Sequence, residues 1–327
     1  MMTRTKVWML AILSISFFVV SCEKEEEINE AQVLAEFLES TDSPYGKYYI
    51  NTENPAIKQA EVVRTSNNAG SAYIIDVRNA DDYNAGHIVN AVNVPVGQVV
   101  SHVQTEGLAL DDEIYVVCYS GQSASWATCQ LRLLGYTNAW SMAFGMSSWN
   151  ATFSEPWENN AYKNTYATDF TSDVTEKGSE GPLPTLNTGR ETGLEILEDR
   201  IAVVQAEGFG AASISAQAVF DNLDDYYIVN YWPEAEYLNP GHIPGAMQYE
   251  PKQDLALDTD LKTLPTDQTI VVYCYTGQNS ASVAAYLRVL GYDAKSLVYG
   301  ANGMIYDLMT KSRWSQDAIQ EYEYVTE

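Results

Sequence analysis

Basic residues are scarce in this chain. Eighteen Lys and Arg stand against 44 Asp and Glu, for a formal charge of −26. A surface of that sign repels phosphate backbones and anionic headgroups, which excludes nucleic acid as a partner. Histidine is scarcer still: there are three, and none lies near a cysteine in sequence. That leaves too few ligands for a structural zinc site, and no metal or organic cofactor is expected. The cysteines are only four, Cys22, Cys118, Cys129 and Cys274, and no two form a C-x-x-C pair. A thioredoxin-type dithiol is thereby excluded. The apolar run at residues 7–20 is interrupted by two serines. It falls short of the ~20 residues that a transmembrane helix needs.

What is present begins with that run. Arg4 and Lys6 precede it as a positive region, the pattern of a secretory leader. It ends in Val19-Val20-Ser21-Cys22, which resembles the lipobox of bacterial lipoproteins, where a small residue precedes a lipidated cysteine. Residues 1–21 are expected to be removed, leaving Cys22 as a lipid anchor on the cell envelope. The outer membrane is the expected site, facing the periplasm or the surface. Glu23-Lys24-Glu25-Glu26-Glu27 resembles the acidic export tag of surface lipoproteins in Bacteroidota, and reads equally as a solvated spacer. With Cys22 assigned to lipid, three thiols remain in an oxidising compartment. An odd number there points to reactive chemistry rather than to a disulfide framework.

The chain repeats itself. Cys118-Tyr119-Ser120-Gly121-Gln122 matches Cys274-Tyr275-Thr276-Gly277-Gln278. A Gly-Tyr pair follows seventeen residues past each cysteine, at Gly135-Tyr136 and Gly291-Tyr292. Upstream, Gly86-His87-Ile88 matches Gly241-His242-Ile243, and downstream Phe144-Gly145 matches Tyr299-Gly300. Two copies of one domain explain this order and spacing. Their expected limits are 31–160 and 191–327, after a charged tether at 22–30. A Thr-, Asn-, Ser-, Gly- and Pro-rich linker at 161–190 joins them. Each copy opens with apolar residues at helical spacing, near 31–38 and 194–205.

Within each copy short apolar runs alternate with helical stretches. Ala72 to Val77, Glu113 to Val117 and Thr269 to Tyr273 read as buried parallel strands. The expected fold class is α/β, each copy a mainly parallel sheet with helices on both faces. Ligands in such folds sit at the carboxyl ends of the strands, where Cys118 and Cys274 lie. A cysteine between a strand end and a helix start meets inward-pointing amides and the positive end of the helix dipole. Both favour an anionic sulfur. Gly121 and Gly277 allow the sharp turn that brings an N–H inward.

These residues carry a specific resemblance. The loops Cys118-Tyr119-Ser120-Gly121-Gln122-Ser123 and Cys274-Tyr275-Thr276-Gly277-Gln278-Asn279 resemble the six-residue active-site loop of rhodaneses, the thiosulfate:cyanide sulfurtransferase superfamily. The segment Ile74-Ile75-Asp76-Val77-Arg78 is similar to the family's first strand motif. The Gly-His-Ile segments of both copies resemble its Gly-His-Ile-x-Gly-Ala motif. The resemblance implies two rhodanese-like domains. It also implies that Cys118 and Cys274 accept sulfur as a persulfide and pass it to a thiol, cyanide or a protein acceptor. The loop residues then bind the substrate, and Asp76 and Arg78 support the site.

This sequence departs from the family pattern in informative ways. Neither loop carries a cation, which argues against thiosulfate as the natural donor. The second copy reads Asn230-Tyr231-Trp232 where the first has Asp76-Val77-Arg78, so Cys118 is favoured over Cys274. Ala124 stands where the family often has the serine that the second copy keeps as Ser280. A cysteine phosphatase needs a longer loop closed by arginine, and neither copy has one. The alternative class is a non-catalytic tandem module that binds an envelope protein partner through its loop faces. Cys129, whose counterpart is Ala285, reads as a small buried helix residue. His87 and His242 read as turn-ordering groups, and Trp140, Trp149 and Trp157 as core or domain-contact residues.

Overall fold

Strands form where β-branched and aromatic residues run together. In the first copy these are β1 (Ile57–Lys58), β2 (Ala72–Asp76), β3 (Val92–Asn93), β4 (Glu113–Val117) and β5 (Ala139–Met142). In the second they are β6 (Ser213–Ile214), β7 (Tyr226–Asn230), β8 (Met247–Gln248), β9 (Thr269–Tyr273) and β10 (Ala294–Leu297). The computed structural model describes residues 28–327. The leader, Cys22 and most of the tether lie outside the described residues.

Each copy makes one five-stranded sheet, in the order β1-β5-β4-β2-β3 and β6-β10-β9-β7-β8. Every pair of neighbours is parallel. The registers also repeat: Asp76 stands opposite Val117 and Asn230 opposite Tyr273. Helices flank both sheets, so the expected class is the observed one. The chain leaves β2 toward β3 and leaves β4 toward β5, in opposite directions. That reversal makes the carboxyl ends of β2 and β4 a topological switch point, the place where such sheets bind ligands. Residues 118 and 274 follow β4 and β9 directly.

The helices after the two cysteines, Gln122–Leu133 and Gln278–Val289, pack on each other between the copies. Nearly all their residues are buried, including Gln122, Gln130 and Arg132. Arg132 survives there because its Nε donates to the Ala139 carbonyl at 2.7 Å and its Nη1 to Tyr45 Oη at 2.9 Å. The copies therefore share one apolar core, which runs from Leu34 and Trp126 to Val272 and Tyr286. The opening helices, Glu30–Glu39 and Gly193–Ala211, also pair across the copies. Among the described residues no helix is long and apolar enough to cross a membrane.

The segments that follow the two copies are exchanged. Thr171, in the connecting segment, exchanges backbone bonds with His242 of the second copy, at 2.8 and 2.9 Å. The chain's end returns to the first copy, where Val325 and His87 exchange two bonds of 2.9 Å. Tyr324 packs on Phe153, and Trp149 Nε1 donates to the Glu323 carbonyl. His87 and His242 stack on Tyr83 and Tyr237, with Nδ1 at the carbonyl of the same tyrosine. They hold turns, as expected.

Cys129 lies in the shared core, and burial pushes its thiol up to about 12. Burial likewise pushes Tyr115 and Tyr299 up to about 12. All three are held protonated by the fold. Their contribution is complete below the ordinary values of 9.0 and 10.0 and is lost as pH rises toward 12. The urea midpoint is accordingly expected to fall steadily from pH 9 upward. Cys129 alone removes up to about 1.4 kcal/mol per pH unit within that window. A midpoint that stays flat between pH 9 and 11 would contradict this.

Candidate active site

The sheet places Cys118 at the end of β4 and Arg78 two residues past the end of β2, on the two sides of the switch point. The turn after Cys118 closes through Gly121, whose φ of +82° suits glycine. Its N–H donates to Cys118 Sγ at 3.1 Å. The loop thus brings an amide inward, as its sequence predicts.

In the second copy Gly277 turns in the same way, with φ +78°. The amide on Cys274 Sγ is that of Ser280, at 3.3 Å, and Sγ lies 3.5 Å from Ser280 Oγ. This donor sits one residue beyond the six-residue loop. It is one of the first helical N–H groups, which have no partner within the helix. The first copy has Ala124 there, so Cys118 lacks the hydroxyl. Its serine has moved one place, to Ser125, which bonds Ser141 as Ser280 bonds Ser296. Cys118 is 5% exposed and Cys274 2%, so only a small part of either sulfur meets solvent. Among the described residues Cys118, Cys129 and Cys274 are free thiols. No group of three or more His, Cys, Asp or Glu there is placed to hold a metal.

Asp76 and Arg78 form a buried pair. Arg78 Nη2 lies 2.6 Å from Asp76 Oδ2, and Nε lies 3.0 and 3.1 Å from the two carboxylate oxygens. Nη2 also donates to the Gly86 carbonyl at 2.6 Å. The guanidinium lies 4.9 Å from the centre of the Tyr119 ring and so supports the loop wall. Its charge is paired with Asp76.

The second copy replaces this unit with aromatic packing. Asn230 Nδ2 donates to Tyr273 Oη at 2.7 Å. Trp232 stacks on Tyr275, with ring centres 4.9 Å apart and planes at 10°. Tyr273 takes the place of Val117. The three changes belong together: the acid, the base and the adjacent small residue give way to an amide, an indole and a phenol.

The remaining loop residues divide between the copies. Ser120 Oγ accepts from Gln122 Nε2 at 3.0 Å, and Thr276 Oγ1 accepts from the Gln278 amide at 3.4 Å. Ser123, the last residue of the first loop, is half-buried. Asn279 Oδ1 accepts from Asn54 of the first copy at 2.7 Å. Gln122 Oε1 accepts from the Tyr299 amide, and Gln278 Oε1 from the Phe144 amide, each at 2.9 Å. A Cβ at Gly121 would lie 2.2 Å from Gln278 Nε2, and one at Gly277 2.2 Å from Gln122 Oε1. Glycine is therefore needed twice over, for its φ and for the glutamine lying on it.

Trp157, read from the sequence as a core or domain-contact residue, closes this interface, and sequence reasoning missed its partners there. Trp157 sits edge-on to Phe144 and Tyr299, with both ring centres 5.1 Å away, and stacks on Trp314 at 6.3 Å. Its Nε1 donates to the Ser120 carbonyl at 3.2 Å. Tyr299, raised by burial and by the neighbouring Cys118 sulfur, presents a neutral phenol beside Ser120. Its counterpart in the first copy, Phe144, has no hydroxyl. The usable signal was the repeat itself, which pairs Phe144 with Tyr299.

Known proteins share these features. Residues 59–152 and 215–305 each match the family described as rhodanese-like domain. The thiosulfate sulfurtransferase GlpE of Pseudomonas entomophila is 32% identical over 85 residues, covering 26% of this chain and 76% of that protein. The adenylyltransferase and sulfurtransferase uba4 of Ogataea parapolymorpha is 30% identical over 78 residues, 24% of this chain and 20% of that protein. The chain thus spans a fifth of that fungal relative, and 42% of a relative from Bacillus subtilis. Among solved structures, the human single-domain sulfurtransferase TSTD1 is 29% identical, covering 28% of this chain and 90% of that one, with a TM-score of 0.25. A Pseudomonas aeruginosa thiosulfate sulfurtransferase is 18% identical, covering 88% of this chain and 48% of that one, with a TM-score of 0.31. With matched segments spanning more than half of its length, the chain belongs to the rhodanese-like family and carries two of its domains.

Proposed function

We propose that the protein is a sulfurtransferase that works through a cysteine persulfide, with Cys118 as the principal carrier. The carrying observation is the placement of Cys118 at the carboxyl end of β4, at the switch point of the sheet, with the Gly121 N–H on its sulfur. Its thiolate attacks the outer sulfur of a sulfane donor. A sulfur–sulfur bond forms on Cys118 as the donor's own bond breaks, and the donor leaves as an anion. An acceptor thiol, cyanide or protein nucleophile then takes the outer sulfur, and Cys118 returns as thiolate. Oxidation states balance without a further redox partner. The amide stabilises the sulfur anion at both stages. Burial of the sulfur and the absence of a cation in the loop favour a donor of lower charge than thiosulfate, such as an organic persulfide. Cys274 is the second carrier, with the Ser280 amide in the role that the Gly121 amide has at Cys118. We also propose that residues 1–21 are cleaved and that Cys22 anchors the protein to the envelope.

Intact-protein mass spectrometry checks these readings together. A polysulfide donor is expected to add one sulfur atom that cyanide removes, and Cys118→Ser is expected to abolish most of the gain. The Cys118→Ser/Cys274→Ser pair is expected to abolish all of it. Protein from a bacterial envelope fraction is expected to start at Cys22 and carry a lipid. If folded protein with free thiols gains no sulfur from any donor, the transferase reading is lost. The near-complete burial of both sulfurs favours a second reading, a tandem binding module for an envelope protein, and that reading would then take its place.

A further inference from the structure

The side chain of Gln278 is four residues past Cys274, yet every bond it makes is to the first copy. Its Oε1 accepts from the Phe144 amide at 2.9 Å. Its Nε2 lies 3.3 Å from the Met142 carbonyl and 3.4 Å from the Gly121 carbonyl. It covers Gly121, whose N–H is the one on Cys118 Sγ. The turn it holds, Phe144-Gly145, leads into the Met146 and Ser147 amides, which bond the Cys118 and Tyr119 carbonyls at 2.8 and 3.1 Å. Gln278 thus grips the Cys118 cradle from both sides, and it is 2% exposed. Gln122 is not its equal. That side chain divides between its own Ser120 and the Tyr299 amide of the second copy.

We propose that Gln278 is a positioning residue for Cys118, so that the second domain completes the first domain's site. It acts through Gly121 and the Phe144 turn and touches neither sulfur nor substrate. The proposal rests on the reading of Cys118 as a reactive thiol. It gives the second copy a task that does not depend on its own ion pair, lost at Asn230 and Trp232. Gln122 lies on Gly277 in return, but the amide on Cys274 Sγ is that of Ser280, so the glutamine contact reaches a sulfur-bonding amide only from the second copy to the first.

The test is the alkylation rate of each cysteine in the full chain against pH, read by peptide mass spectrometry after iodoacetamide. In Gln278→Met the side chain keeps its length and loses all three bonds. The Cys118 profile is expected to move to higher pH, with a rate at neutral pH slower by about three- to tenfold, the range for a lost buried hydrogen bond. Cys274, though nearer in sequence, is expected to stay within about twofold, less than such a bond is worth. Gln278→Glu keeps the acceptor for the Phe144 amide and is expected to give an intermediate profile. It carries the test if the methionine variant does not fold. A change confined to Cys274, or an unmoved Cys118 in a folded variant, overturns the proposal. Alkylation needs no sulfur donor, so this result is separate from the mass-spectrometric test of sulfur transfer. Normal sulfur loading of Cys118 in Gln278→Met would defeat the proposal and leave the transferase reading intact. A displaced Cys118 profile in a chain that never loads sulfur would do the reverse.

Discussion

Arg78→Met is expected to destabilise the protein by about 3–5 kcal/mol, the usual effect of removing one partner from a buried ion pair. Both side chains of the Asp76–Arg78 pair are 1% exposed. Loss of the guanidinium leaves the Asp76 carboxylate in the interior with the Arg78 backbone N–H, at 3.0 Å, as its remaining bond there. The Gly86 carbonyl and the face of Tyr119 lose their partner as well. The second copy shows a compensated alternative in the same fold. Asp76→Asn, Arg78→Trp and Val117→Tyr together reproduce Asn230, Trp232 and Tyr273. The triple variant is expected to recover much of the loss, because no charge is left buried and the new indole stacks on the loop tyrosine. Urea denaturation of the single and triple variants checks both statements. A loss below about 1 kcal/mol in Arg78→Met would show that the pair is not acting as a buried one.

Trp157→Ala is the second large effect, about 3–5 kcal/mol for an emptied aromatic site in a core. The indole is fully buried between Phe144, Tyr299 and Trp314, at the seam of the two copies. Its removal opens a cavity there and frees the Ser120 carbonyl in the Cys118 loop. Trp157→Phe keeps most of the contact area and loses the bond to Ser120. It is expected to cost less than about 1.5 kcal/mol, as for one hydrogen bond. Thermal or urea unfolding separates the two contributions. An alanine variant as stable as the parent would mean that the seam closes without this side chain.

Much of the architecture was legible because it is local. Runs such as Ile74-Ile75 and Val116-Val117 announce buried strands, and the repeated Cys-Tyr-x-Gly-Gln announces two turns at strand ends. The helices Gln122–Leu133 and Gln278–Val289 were legible as helices but not as an interface. Gln122 read as a substrate-binding loop residue, and only the packed helices show its side chain turned to the Tyr299 amide and Arg132 buried against the Ala139 carbonyl and Tyr45. The connecting segment read as a linker, and only the His242 pairing shows it bonded to the second copy. The loop glycines were expected to aim an amide at each sulfur. That holds at Gly121, while at Cys274 the serine amide does it.

The amino-acid sequence by itself determined the two copies, their parallel sheets and the position of each cysteine. These follow from side-chain period, turn chemistry and repetition over a few residues. Tertiary structure alone decided which copy supports which site. The bond between Gln278 and the Phe144 amide joins residues 134 apart, and that between Gln122 and the Tyr299 amide residues 177 apart. No local pattern encodes such a contact. It exists because two buried helices pack face to face and bring each loop's glutamine oxygen against a backbone amide of the other copy.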